Sequence, residues 1–395
     1  MIAATVILAG KIFTPNEEIS DGAILIQGHR IASVGPRSEI KTPTGVTVLD
    51  YRDRMLVPGF IDIHIHGAAG HDLMEGTAES VSAVAAYLAR QGTTAFLATT
   101  VTAKMDRTLR AIEGLAKIIT TAQSSRGRSG QPVGAELLGL HFEGPFLSGK
   151  ARGAHPAAHL RKPSVEVFAH MLDQAQGTAR ILTLAPELEG ALDLLELAKS
   201  RGLRVGLGHS HATYEETERA VDAGATHAVH CFNAMRPFSH HDPGILGAAL
   251  TDDRLSAELI ADGIHVEPPA VRLLVRSKGL ERIILVSDGV SGASMPDGIY
   301  RVGTSTVRVA GGVCRTKEGK LAGGTTPLRE AIHNLAQFTG ASFAACLPCA
   351  TLNPARILGL EGRKGVIAPG ADADLVALDA DAGVTQTYVR GQAVL

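Results

Sequence analysis

Tryptophan is absent from this chain and aromatic residues make up only 4% of it, which leaves few flat rings on which nucleobases could stack. Charge is balanced as well as modest: 38 Lys and Arg stand against 40 Asp and Glu, for a formal net charge of -2. No global field draws the chain toward nucleic acid or an anionic membrane surface. The four cysteines, Cys231, Cys314, Cys346 and Cys349, are too few and too scattered for a disulfide framework. The one Cys-x-x-Cys pair, Cys346 and Cys349, has no second pair with which to complete a thiolate zinc site. Reduced thiols and a cytoplasmic location are the expectation. Long hydrophobic runs are missing too. Met1 to Gly10 is apolar, but it carries no basic leader and Lys11 interrupts it, so it reads as a strand and not as a signal or a membrane span. These absences leave a small soluble molecule as the expected partner.

What is present is a hydrophobic content of 45% in 395 residues, with 44 glycines, ample for a large core with tight loops. Residues 3–9, 23–27, 30–34 and 46–49 read as short strands, and residues 374–379 and 387–395 resemble them. Short strands at both ends can bury their apolar faces against each other. The expectation is a small β-sandwich domain built from both termini, residues 1–56 and 359–395, around a larger inserted domain, residues 57–358.

That middle alternates. Strand candidates fall at residues 60–66, 93–99, 136–142, 180–184, 203–208, 226–230, 256–260 and 282–287. Helical patterns lie near 78–91, 106–120, 164–176, 190–200, 215–223, 268–278 and 327–338. Eight strands alternating with helices predict a closed (β/α)8 TIM-like barrel, with a doubly wound open sheet as the alternative. Residues 291–324, with Gly311-Gly312 inside, break the alternation and read as an inserted β-hairpin.

Chemistry in such a barrel collects at the C-terminal ends of the strands. There the sequence places His64 and His66 on the first strand, His141 and Glu143 on the third, His209 and His211 on the fifth, His230 on the sixth and Asp288 on the eighth. Strict alternation puts Asp62, His64 and His66 on one face, opposite Ile61, Ile63 and Ile65, and sets Glu143 on the same side as His141. His209 lies in register with Val205 and Leu207, so position alone carries it; singly, His209, His230 and Asp288 fit a core or turn role equally well. Scattered histidines such as His29, His170 and His333 are read as solvated or core residues. A buried carboxylate among imidazoles calls for a compensating cation. The ligand types suit zinc first, then iron, cobalt, nickel or manganese. A divalent metal at an open site makes hydrolysis the natural reaction, with Asp288 as the group that moves the proton.

The runs Pro58-Gly-Phe-Ile-Asp-Ile-His-Ile-His-Gly67, Gly139-Leu-His-Phe-Glu-Gly-Pro-Phe146, His230-Cys-Phe-Asn-Ala-Met235, Ala261-Asp-Gly-Ile-His265 and Ser287-Asp-Gly289 resemble the amidohydrolase superfamily and, within it, its N-acetylglucosamine-6-phosphate deacetylases. The resemblance implies release of acetate from the N-acetyl amide of an amino-sugar 6-phosphate, in a homodimer. It implies Glu143, His209 and His230 as ligands of one metal, His64 and His66 as ligands of a second, Asp288 as catalytic acid/base, and His155, Asn233, Ala234, His241 and His265 as substrate contacts. His241 departs from the pattern, since arginine is usual there for the substrate phosphate, and histidine lacks the bidentate fork. Gly324 stands where serine is common. A deacylase for an unphosphorylated or epimeric N-acetyl amino sugar is the second reading, and a non-catalytic barrel scaffold the third.

Overall fold

The computed structural model describes residues 4–124 and 134–394. Ala3, at the start of the first expected strand, and Leu395, at the end of the last, lie outside the described residues, as does the start of the apolar Met1 to Gly10 run.

The β-runs at the two ends form one seven-stranded sheet. Ala4–Phe13, Glu18–Gln27, Arg30–Pro36 and Thr47–Pro58 are continued in it by Leu375–Leu378, Val384–Val389 and Gln392–Ala393. Leu375–Leu378 lies antiparallel on Thr47–Pro58, with Leu375 opposite Pro58. The sheet rolls until its halves meet, with Arg30 bridging Asp372 and Ile31 N–H donating to the Ala371 carbonyl at 2.9 Å. Ile7, Ile24 and Ile26 therefore share a core with Leu375 and Ala377. The two layers of the expected sandwich are halves of a single sheet.

All eight middle strands form, as Phe60–Ile65, Thr93–Thr100, Glu136–Glu143, Ala179–Leu184, Arg204–Leu207, His227–Ala228, Ser256–Leu259 and Ile283–Leu285. They pair in parallel in chain order. The ring closes just past the eighth strand, where Asp288 N–H donates to the His64 carbonyl at 3.0 Å and His66 N–H to the Gly289 carbonyl at 2.8 Å. Closure and Asp288 thus occupy the same point of the rim.

The strict alternation expected on the first strand does not hold. Ile61 and Ile63 pack with Ile181 and Ile284 from other strands and with Ile260 just past the seventh, which only the barrel interior allows, whereas Ile65 packs with Val84, Leu88 and Ile112 of the surrounding helices. The cause is a bulge: Asp62 pairs with Phe96 and Ile65 with Ala98, so one extra residue sits between them. His64 and His66 still point inward, but Asp62 faces outward, where Tyr87, Leu88 and Leu328 surround it.

Seven helices match their expected positions. The sixth unit's helix, Gly244–Thr251, was not expected, because seven of its eight residues are buried and no polar face marks a period. The insertion is a three-stranded antiparallel sheet, Gly298–Val302, Ser305–Ala310 and Val313–Thr316, and not a hairpin. Among the described residues no single helix is long and apolar enough to cross a membrane. One bent pair, Leu328–Thr339 with Phe343–Ile357, passes that test, but it buries Leu328, Ile332, Leu335 and Cys346 against the barrel. At the start of the third barrel strand, the buried Lys364 ammonium bonds Glu136 Oε2 at 2.8 Å and Asp374 Oδ2 at 2.6 Å, tying the barrel to the rolled sheet.

Candidate metal centre

His64, His66, Glu143, His209, His230 and Asp288 converge in the barrel mouth, and all six are buried. Three of them reach it by unusual backbone. His209, His230 and Asp288 have φ of 47°, 30° and 47°, in the left-handed region that few non-glycine residues occupy. Each turns the chain at a strand end and so frees its side chain from strand alternation. This explains why His209 enters the site although its register with Val205 and Leu207 points elsewhere. His211 stays out: its N–H is held by Glu187 Oε1 at 2.6 Å, and its ring meets Arg236.

Glu143 is the centre. Five imidazole Nε2 atoms lie within 3.4 Å of its two oxygens: those of His64, His209 and His230 at 3.2, 3.1 and 3.2 Å from Oε1, and those of His66 and His155 at 3.4 and 3.1 Å from Oε2. Asp288 Oδ1 lies 3.1 Å from His66 Nε2 and 3.7 Å from His64 Nε2.

The protons on these rings follow from their other nitrogens. Nδ1 of His209 faces the Ala151 carbonyl at 3.1 Å, that of His66 the Thr99 carbonyl at 3.3 Å, and that of His64 the Glu258 carboxylate at 3.0 Å. Each partner only accepts, so each Nδ1 donates. The Nε2 atoms of the neutral rings are then bare lone pairs aimed at carboxylate oxygens, and His64 Nε2 is buried without a hydrogen bond. Lone pairs facing anions repel unless a cation lies among them, so the donor set fits a divalent metal. Three groups have donor atoms close enough to share one: His64, His66 and Asp288; His64, Glu143 and His230; and Glu143, His155 and His209. His155 differs. Its Nδ1 accepts from Thr102 N–H at 3.3 Å, so its Nε2 carries the proton and donates to Glu143.

The electrostatics show the same demand. Burial lowers His66, but hydrogen bonds that its ring donates to Asp288 and Glu143 outweigh it and raise its pKa to about 9. Burial would raise Asp288, yet the His66 contact brings it to about 2. His209, for which burial prevails, falls to about 4. Without a metal, protons must supply the positive charge.

Above these groups opens a cavity of about 340 Å³ lined by His155, Asn233, Ala234, His265, Val302 and Lys320 among others. Four expected substrate contacts are thus in its wall. His241 is not: it is exposed on a loop, its ring 3.9 Å from that of His240. His29, His170 and His333 are on the surface. Gly324 N–H donates to the Asp288 carbonyl at 2.7 Å, and a Cβ at Gly324 would come within 2.3 Å of the Ser287 carbonyl oxygen. The close approach that seats Asp288 excludes a side chain there.

Sequence reasoning missed Glu258, behind His64, and the contact of His155 with Glu143. A lone acid inside the buried four-residue strand Ser256–Leu259 was the available signal for the first; the second depends on a loop fold.

A closed (β/α)8 barrel carrying a carboxylate ringed by imidazoles at its C-terminal mouth defines a metal-dependent barrel hydrolase. The chain belongs to the amidohydrolase family, whose sequence profile matches residues 55–394. It is 38% identical to N-acetylgalactosamine-6-phosphate deacetylase of Escherichia coli O157:H7, over 98% of each chain. It is 36% identical to N-acetylglucosamine-6-phosphate deacetylase of Bacillus subtilis (strain 168), over 96% of this chain and 94% of that one. Among solved structures, a mutant N-acetyl-D-glucosamine-6-phosphate deacetylase from Mycobacterium smegmatis in complex with N-acetyl-D-glucosamine-6-phosphate superimposes over 100% of both chains, with a TM-score of 0.90 and 32% identity.

Proposed function

We propose that this protein hydrolyses the N-acetyl amide of an amino-sugar 6-phosphate, N-acetylglucosamine 6-phosphate first, giving glucosamine 6-phosphate and acetate. The observation that carries the reading is Asp288 beside the imidazole-ringed Glu143, at the floor of a cavity of sugar-phosphate size. The ligands are assigned as Glu143, His209 and His230 for one ion and His64, His66 and Asp288 for a second, with zinc as the preferred metal. When bound, the metal polarises the substrate carbonyl and acidifies water.

The chain's own groups do the rest. Asp288 takes a proton from the attacking water as oxygen bonds to the acetyl carbon, then delivers it to the amine nitrogen as the C–N bond breaks. One amide and one water become one carboxylate and one protonated amine: Asp288 carries the first proton of the water to the nitrogen, and the second, left on the nascent acetic acid, passes to the freed amine. His155 donates its Nε2 proton to Glu143 and so holds the carboxylate in place, while Asn233, Ala234 and His265 form the wall against which the sugar is oriented. Four buried, unpaired cysteines support the cytoplasm as the compartment.

The epimeric or unphosphorylated substrate is the second reading. It is favoured by the relative named for N-acetylgalactosamine 6-phosphate and by the exposed position of His241 away from the cavity wall. A panel of N-acetylglucosamine and N-acetylgalactosamine, each with and without the 6-phosphate, decides between them. Fastest acetate release from N-acetylglucosamine 6-phosphate supports the first reading, and faster release from the galacto epimer or a plain sugar replaces it with the second. No acetate from any of the four refutes both.

A further inference from the structure

Behind the metal centre, Glu258 has a side chain 0% exposed and no role in the reaction described above. Its Oε2 accepts from His64 Nδ1 at 3.0 Å and from the His230 backbone N–H at 3.2 Å, while its Oε1 faces His227 Nε2 at 3.4 Å. One oxygen therefore clamps a ring of the first strand to the left-handed backbone of the sixth.

The inward histidines are not oriented alike. His66 and His209 donate Nδ1–H to neutral backbone carbonyls, of Thr99 and Ala151; His64 donates to a full carboxylate. A carboxylate behind a ligating imidazole fixes its tautomer and increases the basicity of the far nitrogen. Of the two ligand sets assigned above, only His64, His66 and Asp288 includes a ring held by that carboxylate; Glu258 reaches the other set, Glu143, His209 and His230, only through the His230 backbone N–H, which a glutamine oxygen also accepts.

We propose that Glu258 is a positioning residue that sets the metal stoichiometry of the site: it makes His64 a ligand and thereby secures the ion held with His66 and Asp288. This rests on the two-ion reading above. The test titrates the metal-free protein with Zn²⁺ against a competing chelator and measures bound zinc on the same samples, for wild type and Glu258→Gln. Glutamine keeps the size and an acceptor but removes the charge. Wild type is expected to take two ions; in the variant one site weakens by about 10- to 100-fold while the other keeps its affinity. A His64→Asn background should make Glu258→Gln silent. If the glutamine variant does not fold, Glu258→Asp, which keeps the charge but loses the reach, is expected to show the same selective loss.

A merely structural glutamate would weaken both sites together or neither. Two unchanged sites in the variant overturn the proposal, as does a wild type that takes only one ion. A wild type that takes none overturns the metal centre itself.

Discussion

The Nε2 atoms of His209 and His230 lie 3.0 Å apart and share one oxygen of Glu143, at 3.1 and 3.2 Å. His209 Nε2 is a bare lone pair, because its Nδ1 donates to the Ala151 carbonyl, and with His230 Nε2 and the shared carboxylate oxygen it forms a three-donor set that a divalent cation between them would satisfy at once. Exhaustive chelation is therefore expected to abolish activity and lower the melting temperature, and added zinc to restore both. Saturation at a hundred times Kd is worth about 2.7 kcal/mol. Differential scanning calorimetry with and without the metal checks this; an unchanged melting temperature contradicts it.

Asp288 is seated by its backbone bonds to His64 and Gly324, so replacing its carboxylate by an amide leaves the turn in place. Asp288→Asn should cut kcat by at least about a hundredfold, with KM changed far less. Steady-state kinetics on the preferred substrate, with metal content measured in parallel, test this. Turnover within about tenfold of wild type would remove Asp288 from proton transfer.

Lys364 is 1% exposed and faces Glu136, Asp372 and Asp374 at 2.8, 3.3 and 2.6 Å. Lys364→Met removes the cation these three carboxylates share, although Asp372 keeps Arg363 Nε at 3.3 Å, a loss of about 3–5 kcal/mol by the usual cost of breaking a buried pair. Urea unfolding measures it. A loss below about 1 kcal/mol would show that water already reaches these carboxylates.

His265 and Asp262 form a pair whose pH dependence has a definite sign. Burial lowers His265, but the Asp262 hydrogen bond at 2.6 Å outweighs it and raises the ring above its ordinary value of 6.5, with Asp288 adding to the rise and Arg315 opposing it. Its contribution is full below 6.5 and fades as pH rises through the folded value. Burial would raise Asp262, but His265 lowers it below 3.8, so its contribution is lost only as pH falls through that folded value. Asp262→Asn keeps the acceptor for Ile264 and His265 N–H and removes the charge. Its melting temperature should fall furthest below wild type between pH ~4 and ~6.5, the difference shrinking above. A constant difference across that range would exclude the pair as its source.

Much of the site is legible in the chain because strand ends in an alternating β/α sequence all project to one rim. The eight barrel strands and the positions of His64, His66, Glu143, His209, His230 and Asp288 follow from that rule and from the motifs. Facing was less readable. The bulge after Asp62 sent that residue outward, and the helix Gly244–Thr251 stayed hidden because a segment apolar on every side has no period to detect.

The order of elements and the types of ligand were determined by sequence, through hydrophobic periodicity and the chemistry of imidazole and carboxylate. Tertiary structure decided where the side chains aim. The left-handed backbone at His209, His230 and Asp288, the proton on His155 Nε2 and the clamp of Glu258 on His64 all depend on contacts between residues far apart in the chain. A backbone angle that costs energy locally persists only where a closed barrel supplies those contacts from the neighbouring strands.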